Sequence, residues 1–250
     1  MYQPESKLAA QALSAGYSAD QVIQNLDMEI CQGSVTAIIG PNGAGKTSLL
    51  KALARKIPAA SGAVLLDGIS ITSLTKAEIN QSIGFLAAIP VARNQESVFD
   101  LVARSATAAR QISRVSPRLK EEIETLLERT SLNGVRDKKV GELSSGYRQC
   151  AVIAAALVKN PAVLLLDEPT NSLDYSHQLQ VMNLLSSLKR ERGTTVVAVI
   201  HDLNLAARFA DHIVILKDGS IVAQGTPHEV ITPNNLADAF RILARVIDDP

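Results

Sequence analysis

The chain has 250 residues, which is more than one average domain but too few for two full-sized ones. Its apolar fraction of 46% and charged fraction of 20% are ordinary for a globular chain with a sizeable core, and they exclude intrinsic disorder. The 25 basic and 25 acidic side chains cancel, which argues against nucleic acid or anionic lipid as a partner, and no apolar run approaches the roughly 20 residues that span a bilayer.

Short apolar runs alternate with helix-length amphipathic segments along much of the chain. The runs are rich in β-branched residues, which is typical of strands buried on both faces of a parallel sheet. The predicted strands are residues 35–39, 162–166, 195–200 and 212–216. The helices predicted between or after them are residues 46–55, 175–192 and 203–209. This alternation predicts an α/β layer fold.

One stretch, from about residue 95 to 159, breaks the alternation. It has almost no β-branched runs and predicts three helices, at residues 96–112, 117–130 and 147–159. Pro117 at a helix start and Gly134 after a helix end fit this interpretation. We therefore expect one domain, with a helical subdomain at about 95–159 inserted between core segments at about 1–94 and 160–250.

The helical stretch carries a local run of basic residues. Solvation of this helix face is the favoured interpretation, and a docking surface for a partner is the alternative. The run consists of Arg104, Arg110, Arg114, Arg118 and Lys120.

A glycine-rich segment, GPNGAGKTS, follows the first predicted strand and opens a predicted helix. Its spacing matches G-x-x-x-x-G-K-[ST], in which backbone N–H groups surround an anion at a helix N-terminus. We expect Lys46 to reach the β- and γ-phosphates of a nucleotide and the Thr47 hydroxyl to ligate Mg²⁺. A glycine turn without a ligand is the alternative. The candidate nucleotide-binding residues are Gly40, Pro41, Asn42, Gly43, Ala44, Gly45, Lys46, Thr47 and Ser48.

Two acidic residues end the apolar run VLLLDE. Asp167 would lie at the carboxyl edge of the sheet, where it could hold Mg²⁺. Glu168 could accept a proton from water that attacks the γ-phosphate. By themselves these acids could equally cap a helix, but after a phosphate-binding loop they predict a hydrolytic nucleotide site.

Three further motifs carry a family resemblance. LSSGYRQ at residues 143–149 precedes LLLDEPTNSLD at 164–174, and VIHDLN follows at 199–204. This ordered set closely resembles an ABC-type ATPase cassette over nearly the whole chain. The resemblance implies a P-loop NTPase fold in which a mixed or parallel sheet core carries an N-terminal antiparallel β-subdomain and an inserted helical subdomain. It also implies ATP hydrolysis with Mg²⁺.

The resemblance implies further site residues. Tyr17 would stack on adenine, with a core tyrosine as the alternative. Asp174 would lie at a dimer interface, and His201 would be a catalytic residue that senses the γ-phosphate. The signature segment would contact ATP bound to the opposite subunit, chiefly through Ser144 and Gly146. Its residues are Leu143, Ser144, Ser145, Gly146, Tyr147 and Gln149.

Two positions depart from the family pattern. Ser145 replaces the first glycine of the usual L-S-G-G signature, a mild change. In the family, the strand after the first β-subdomain normally ends in a glutamine that touches Mg²⁺ and the attacking water. Here that strand reads IGFLAAIP, residues 83–90, and Ala88 occupies the glutamine position. Gln95, seven residues later, could take that place. Otherwise we expect metal coordination without the glutamine, or slow turnover.

The C-terminal half looks like cassettes that serve importers of iron–siderophore complexes, haem or cobalamin. Such a cassette would be a homodimer of ATPase subunits on the cytoplasmic face of the inner membrane. It would be a peripheral protein bound to transmembrane permease subunits, which in turn work with a substrate-binding protein. The alternatives are a soluble ABC ATPase of DNA repair, translation or Fe–S cluster assembly, and a weakly hydrolysing nucleotide-binding subunit.

Overall fold

The computed structural model describes residues 5–17, 20–86, 95–171 and 173–247. Its strands, numbered in chain order, are β1 (Ser6–Tyr17), β2 (Asp20–Cys31), β3 (Val35–Ile39), β4 (Ala59–Leu66), β5 (Ile69–Ser70), β6 (Ile83–Leu86), β7 (Val163–Leu166), β8 (Thr195–Val199), β9 (His212–Lys217) and β10 (Ser220–Gly225). Its helices are α1 (Lys46–Leu53), α2 (Lys76–Ser82), α3 (Val98–Arg110), α4 (Pro117–Arg129), α5 (Ser145–Leu157), α6 (Tyr175–Arg192), α7 (Leu203–Phe209), α8 (Pro227–Val230) and α9 (Pro233–Phe240). Within these described ranges, no helix has the length and apolarity to cross a membrane.

A six-stranded sheet forms the centre of the molecule, in the order β10-β9-β3-β8-β7-β6. Every neighbouring pair is parallel except β10 with β9. All residues of β3, β7 and β8 are buried, which explains why these strands are continuous apolar runs in the sequence. The predicted α/β fold with a mixed sheet is confirmed.

The second sheet is antiparallel, in the order β2-β1-β4-β5. Its two long strands are bulged, because the pairing register shifts between Ala10 and Leu13, and both Ala12 and Asn25 have positive φ angles. The bulge gives β1 buried groups of three residues instead of strict alternation. This sheet packs over α1 on one face of the central sheet, so the phosphate loop lies between them.

Helices α3, α4 and α5 are inserted between β6 and β7. These two strands pair directly, with Leu86 opposite Leu166, so the insertion leaves and rejoins the central sheet at the same edge. Two serines set where the helices begin: the Oγ atom of Ser97 accepts from the Asp100 N–H, and that of Ser144 from the Tyr147 N–H. Consequently α3 and α5 each begin two residues away from the predicted starts. We propose the same division into a core and an inserted helical subdomain.

Alternate residues of the central strands feed two apolar cores. On β3, Ala37 and Ile39 join the core shared with α3–α7, whereas Ile38 joins the core shared with α1 and the antiparallel sheet. The central sheet is therefore covered on both faces, and the ends of its strands are the places where polar side chains can meet.

Candidate functional site

The phosphate loop runs from the end of β3 to the start of α1 and requires glycine at several positions. Gly40, Gly43 and Gly45 have φ angles of 151°, 81° and 97°, in the region that side chains disfavour. A β-carbon at Gly40 would also lie 2.1 Å from the carbonyl oxygen of Leu216. The loop encloses a cavity of about 230 Å³ lined by residues 42–48, Val22 and Glu168.

Lys46 is almost fully buried at the start of α1 and spans the loop. Its Nζ atom donates hydrogen bonds of 2.8 Å to the carbonyl oxygens of Gly40 and Pro41. Burial lowers the pKa of Lys46, while the nearby carboxylates of Glu168 and Asp167 act in the opposite direction. The loop therefore presents a cation, together with its backbone amides, to the cavity.

Thr47 and Asp167 bring two oxygen atoms together. The Thr47 hydroxyl donates to Oδ1 of Asp167 over 2.9 Å, which joins the first helix to the end of β7. Burial raises the pKa of Asp167, and the hydrogen bond from Thr47 opposes that rise. A hydroxyl and a carboxylate this close are a donor set that suits Mg²⁺, which is usually held by one or two protein oxygens and substrate phosphates.

Glu168 is held at both carboxylate oxygens beside the cavity. Its Oε1 atom lies 2.8 Å from Nε2 of His201, and its Oε2 atom accepts a 2.8 Å hydrogen bond from Nδ2 of Asn171. Glu168 also has a φ angle of 52°, an uncommon conformation for a residue with a side chain. The hydrogen bond with His201 is the main cause that lowers the pKa of Glu168.

Two residues near this cavity were not predicted from the sequence. Val22 of β2 lines the cavity, and Asn171 orients Glu168 from the turn that follows it. A turn directly after Glu168 was the feature that could have pointed to Asn171. In this turn the Asn171 N–H donates to the Glu168 carbonyl oxygen, three residues earlier. Nothing in the sequence pointed to Val22, because its contact with the loop spans two sheets.

Tyr17 lies at the end of β1 with 46% of its surface exposed, so it is not a core tyrosine. Its hydroxyl accepts a 3.1 Å hydrogen bond from Nζ of Lys51 on α1, and that ammonium lies 5.6 Å from the ring centroid. Tyr17 does not line the 230 Å³ cavity. Stacking of its ring on adenine stays a prediction.

The signature segment forms the N-terminus of α5. Ser144 caps the helix, Ser145 and Tyr147 are exposed in its first turn, and Gly146 is buried. Leu143 is buried before the cap and Gln149 is half-buried, and no residue of the segment lines the phosphate cavity of the same chain.

Arg148, which was not a predicted site residue, holds the loop that precedes the signature helix. Its guanidinium donates to the carbonyl oxygens of Val140, Gly141 and Leu143 over 3.1–3.3 Å.

Asp174 caps α6. Its Oδ1 atom accepts from the His177 N–H over 2.9 Å, and its Oδ2 atom lies 2.8 Å from His177 Nδ1. These hydrogen bonds lower the pKa of Asp174. Both carboxylate oxygens of Asp174 therefore hold the first turn of α6 at an exposed helix start.

Of the two positions linked to the missing family glutamine, the structure describes only Gln95. Ala88 lies outside the described residues. Gln95 is exposed, and its Oε1 atom accepts a 3.2 Å hydrogen bond from Nζ of Lys139. In this arrangement the Gln95 side chain is engaged by the helical subdomain, and it does not line the phosphate cavity.

The sequence has curated relatives over its whole length. It is 40% identical to the ferric enterobactin transport ATP-binding protein FepC of Escherichia coli (strain K12), over 100% of this chain and 93% of that protein. It is 36% identical to the iron(3+)-hydroxamate import ATP-binding protein FhuC of Bacillus subtilis (strain 168), over 98% of this chain and 91% of that protein.

A solved structure shares the fold, and a family model matches the sequence. The dimeric post-hydrolysis structure of the ATP-binding cassette MJ0796, bound to ADP and Pi, aligns with a TM-score of 0.77 and 27% identity, over 88% of this chain and 98% of that one. The model described as ABC transporter matches residues 23–171, which include the phosphate loop, the signature segment and Glu168. The chain belongs to the ABC transporter family, as one of its ATP-binding cassettes.

Proposed function

We propose that the chain is the ATP-hydrolysing subunit of an importer that takes up iron–siderophore complexes. The observation that carries the hydrolytic part is the Glu168 carboxylate, held by His201 and Asn171 beside the phosphate-loop cavity. The transported class is supported by the relatives named for ferric enterobactin transport and iron(3+)-hydroxamate import. Haem and cobalamin are the alternative cargoes.

The phosphate loop binds the nucleotide. Its backbone amides and the N-terminus of α1 surround the phosphates, and Lys46 adds a charge-assisted contact to the β- and γ-phosphates. Tyr17 stacks on the adenine ring. The buried position of Lys46 makes this contact strong, because a partly dehydrated ammonium interacts more strongly with phosphate than an exposed one.

Thr47 and Asp167 are the residues that would hold Mg²⁺ at this site. Bound there, the ion would neutralise charge on the β- and γ-phosphate oxygens. Asp167 is suited to this role because its carboxylate is already turned towards the loop by the Thr47 hydroxyl.

Glu168 activates the attacking water. Its carboxylate accepts a proton as the water oxygen bonds to the γ-phosphorus and the bond to the β–γ bridging oxygen breaks, which yields ADP and phosphate. His201 holds one carboxylate oxygen of Glu168 and senses the γ-phosphate. Asn171 fixes the other oxygen, so the base is preorganised.

A second copy of the chain completes each site. Ser144 and Gly146 of one subunit contact the γ-phosphate bound to the other, and Asp174 lies at the dimer interface. The dimer docks on transmembrane permease subunits through its helical subdomain, at the cytoplasmic face of the inner membrane. A substrate-binding protein delivers the chelate to the other side.

Replacing Glu168 with Gln tests the hydrolytic assignment. The amide cannot accept the proton, so steady-state phosphate release should fall by about a hundredfold or more, while nucleotide binding is retained. The same variant should form an ATP-dependent dimer on size-exclusion chromatography. Glu128→Gln, the same chemical change at an exposed position of α4, is the control. Near-normal phosphate release by Glu168→Gln would overturn the assignment.

The cargo is tested in cells. A strain that lacks the chain should lose uptake of radiolabelled ferric siderophore, and the Glu168→Gln chain should fail to restore it. Unchanged ferric siderophore uptake with loss of haem or cobalamin uptake would transfer the assignment to one of those cargoes.

A further inference from the structure

His177, in the first turn of α6, contacts two parts of the proposed site at once. Its Nδ1 atom lies 2.8 Å from Oδ2 of Asp174, and its N–H donates to Oδ1 of the same carboxylate over 2.9 Å. The second bond is ordinary helix capping, but the first one fixes the orientation of the imidazole ring.

The other contact of this ring is with the signature helix. A β-carbon at Gly146 would lie 2.1 Å from Cδ2 and 2.6 Å from Cγ of His177, so the ring packs directly against the Gly146 backbone. Tyr147 adds an edge contact, with its ring centroid 6.3 Å from that of His177 and an interplanar angle of 69°. Gly146 lies in a regular helix without a positive φ angle, so glycine is needed there for space.

These contacts join two helix N-termini that are distant in sequence. One belongs to α5 and carries Ser144 and Gly146, and the other belongs to α6 and begins at Asp174. Hydrogen bonding on one side and close packing on the other leave the imidazole little freedom. A rotation of the first turn of α5 against α6 would have to break one contact or the other.

We propose that His177 is a positioning residue that fixes the signature helix to the Asp174 carboxylate, so that Ser144, Gly146 and Asp174 are presented to the opposite subunit as one unit. This proposal rests on the proposed function, because it gives that unit a task only if ATP is bound between two subunits. A misplacement of about 1 Å in such a unit can cost as much as a hundredfold in rate.

The proposal separates two quantities that a general loss of stability would change together. The phosphate-loop cavity of each chain does not include His177, so nucleotide binding by a single subunit should not depend on it. Completion of the partner's site should depend on it. The two measurements are therefore the affinity of the separate subunit for a fluorescent ADP analogue, and turnover together with ATP-dependent dimerisation.

Three variants test this. His177→Ala should lower kcat by about tenfold or more and weaken ATP-dependent dimerisation in the Glu168→Gln background, with ADP-analogue affinity within about twofold of the parent. His177→Asn keeps a donor for Asp174 and should recover part of the lost kcat. His228→Ala removes an exposed imidazole from α8 and should change nothing.

The outcomes that contradict the proposal are distinct. Parental kcat and dimerisation in His177→Ala would overturn it, and so would a parallel loss of nucleotide affinity and turnover in both His177 variants, which indicates a structural role alone. If the unmodified chain itself has no turnover, the proposed function fails and this proposal fails with it.

Discussion

At position 146, the packing of a neighbouring side chain leaves room only for glycine. An alanine methyl group there would collide with the His177 ring, at 2.1 Å from Cδ2. Gly146→Ala should therefore destabilise the chain by about 1–3 kcal/mol, as overpacking generally does. In the His177→Ala background the collision is absent and alanine is the better helix former by about 1 kcal/mol, so the same change should become neutral or stabilising. Calorimetric unfolding of the four chains measures this, and equal destabilisation in both backgrounds would contradict it.

Gln95 gives a second prediction at this scale. Its side chain is exposed and bonded to Lys139, away from the phosphate-loop cavity. Gln95→Ala should therefore leave phosphate release within about twofold of the unmodified chain, since surface changes away from a site have small effects. A large drop in turnover would mean that the segment rearranges when nucleotide binds and that Gln95 does replace the family glutamine.

The residues that could be predicted from the sequence are those that act within a local motif. The phosphate loop, Asp167 and Glu168 each belong to a strand followed by a turn, and their chemistry follows from that order. The contact of Val22 with the phosphate loop and the contact of His177 with Gly146 each join segments far apart in sequence. No local sequence pattern predicts such contacts.

At the scale of elements, buried strands and capped helices were predicted well, and the bulged strands of the antiparallel sheet were not. The strands β3, β7, β8 and β9 are apolar runs because both of their faces are buried. The two long strands β1 and β2 carry bulges, and the buried residues of β1 come in groups of three instead of alternating. Period-2 reasoning fails on such strands, and only the family resemblance implied an antiparallel subdomain.

The basic run on α3 and α4 meets acidic partners in the structure. Arg104 makes two hydrogen bonds with Glu96, and Arg110 pairs with Glu122 at 2.5 Å between the two helices. An engaged, half-exposed guanidinium supports the solvated-face interpretation over a docking surface. Pairs exposed to this degree typically contribute about 0–1 kcal/mol.

A charge swap tests the pairing of α3 with α4. Arg110→Glu places two carboxylates together and should lower the free energy of unfolding by up to about 1 kcal/mol. Combining it with Glu122→Arg should restore most of that loss, because the pair is reversed instead of removed. Denaturant unfolding of the single and double variants measures the effect, and high salt should shrink it. A double variant no more stable than Arg110→Glu would show that the pair makes no contribution.

At the scale of the whole molecule, the site depends on the carboxyl ends of three neighbouring strands of the central sheet and on the elements packed above them. β3 leads into the phosphate loop, β7 into Asp167 and Glu168, and β8 into the turn that carries His201. These parallel strands are neighbours, so the sheet brings together side chains that lie far apart in the chain. Helix α1 continues from the loop into the core beneath the antiparallel sheet, where Leu49, Leu50 and Leu53 are buried.

Nucleotide should therefore stabilise the molecule as a whole. A ligand that binds only the folded chain adds about 2.7 kcal/mol at a hundred times its Kd, which for a chain of this size corresponds to a rise in Tm of about 5–10 °C. ADP with Mg²⁺ should produce such a rise in the unmodified chain and in Lys56→Ala, which removes an exposed lysine. Lys46→Ala loses the charged contact to the phosphates, so its Tm should hardly respond to ADP.

The measured quantity is the shift in Tm on adding nucleotide, because Lys46→Ala also loses its bonds to Gly40 and Pro41 and should have a lower Tm without ligand. An equal shift in all three chains would mean that ADP binds elsewhere than at the phosphate loop.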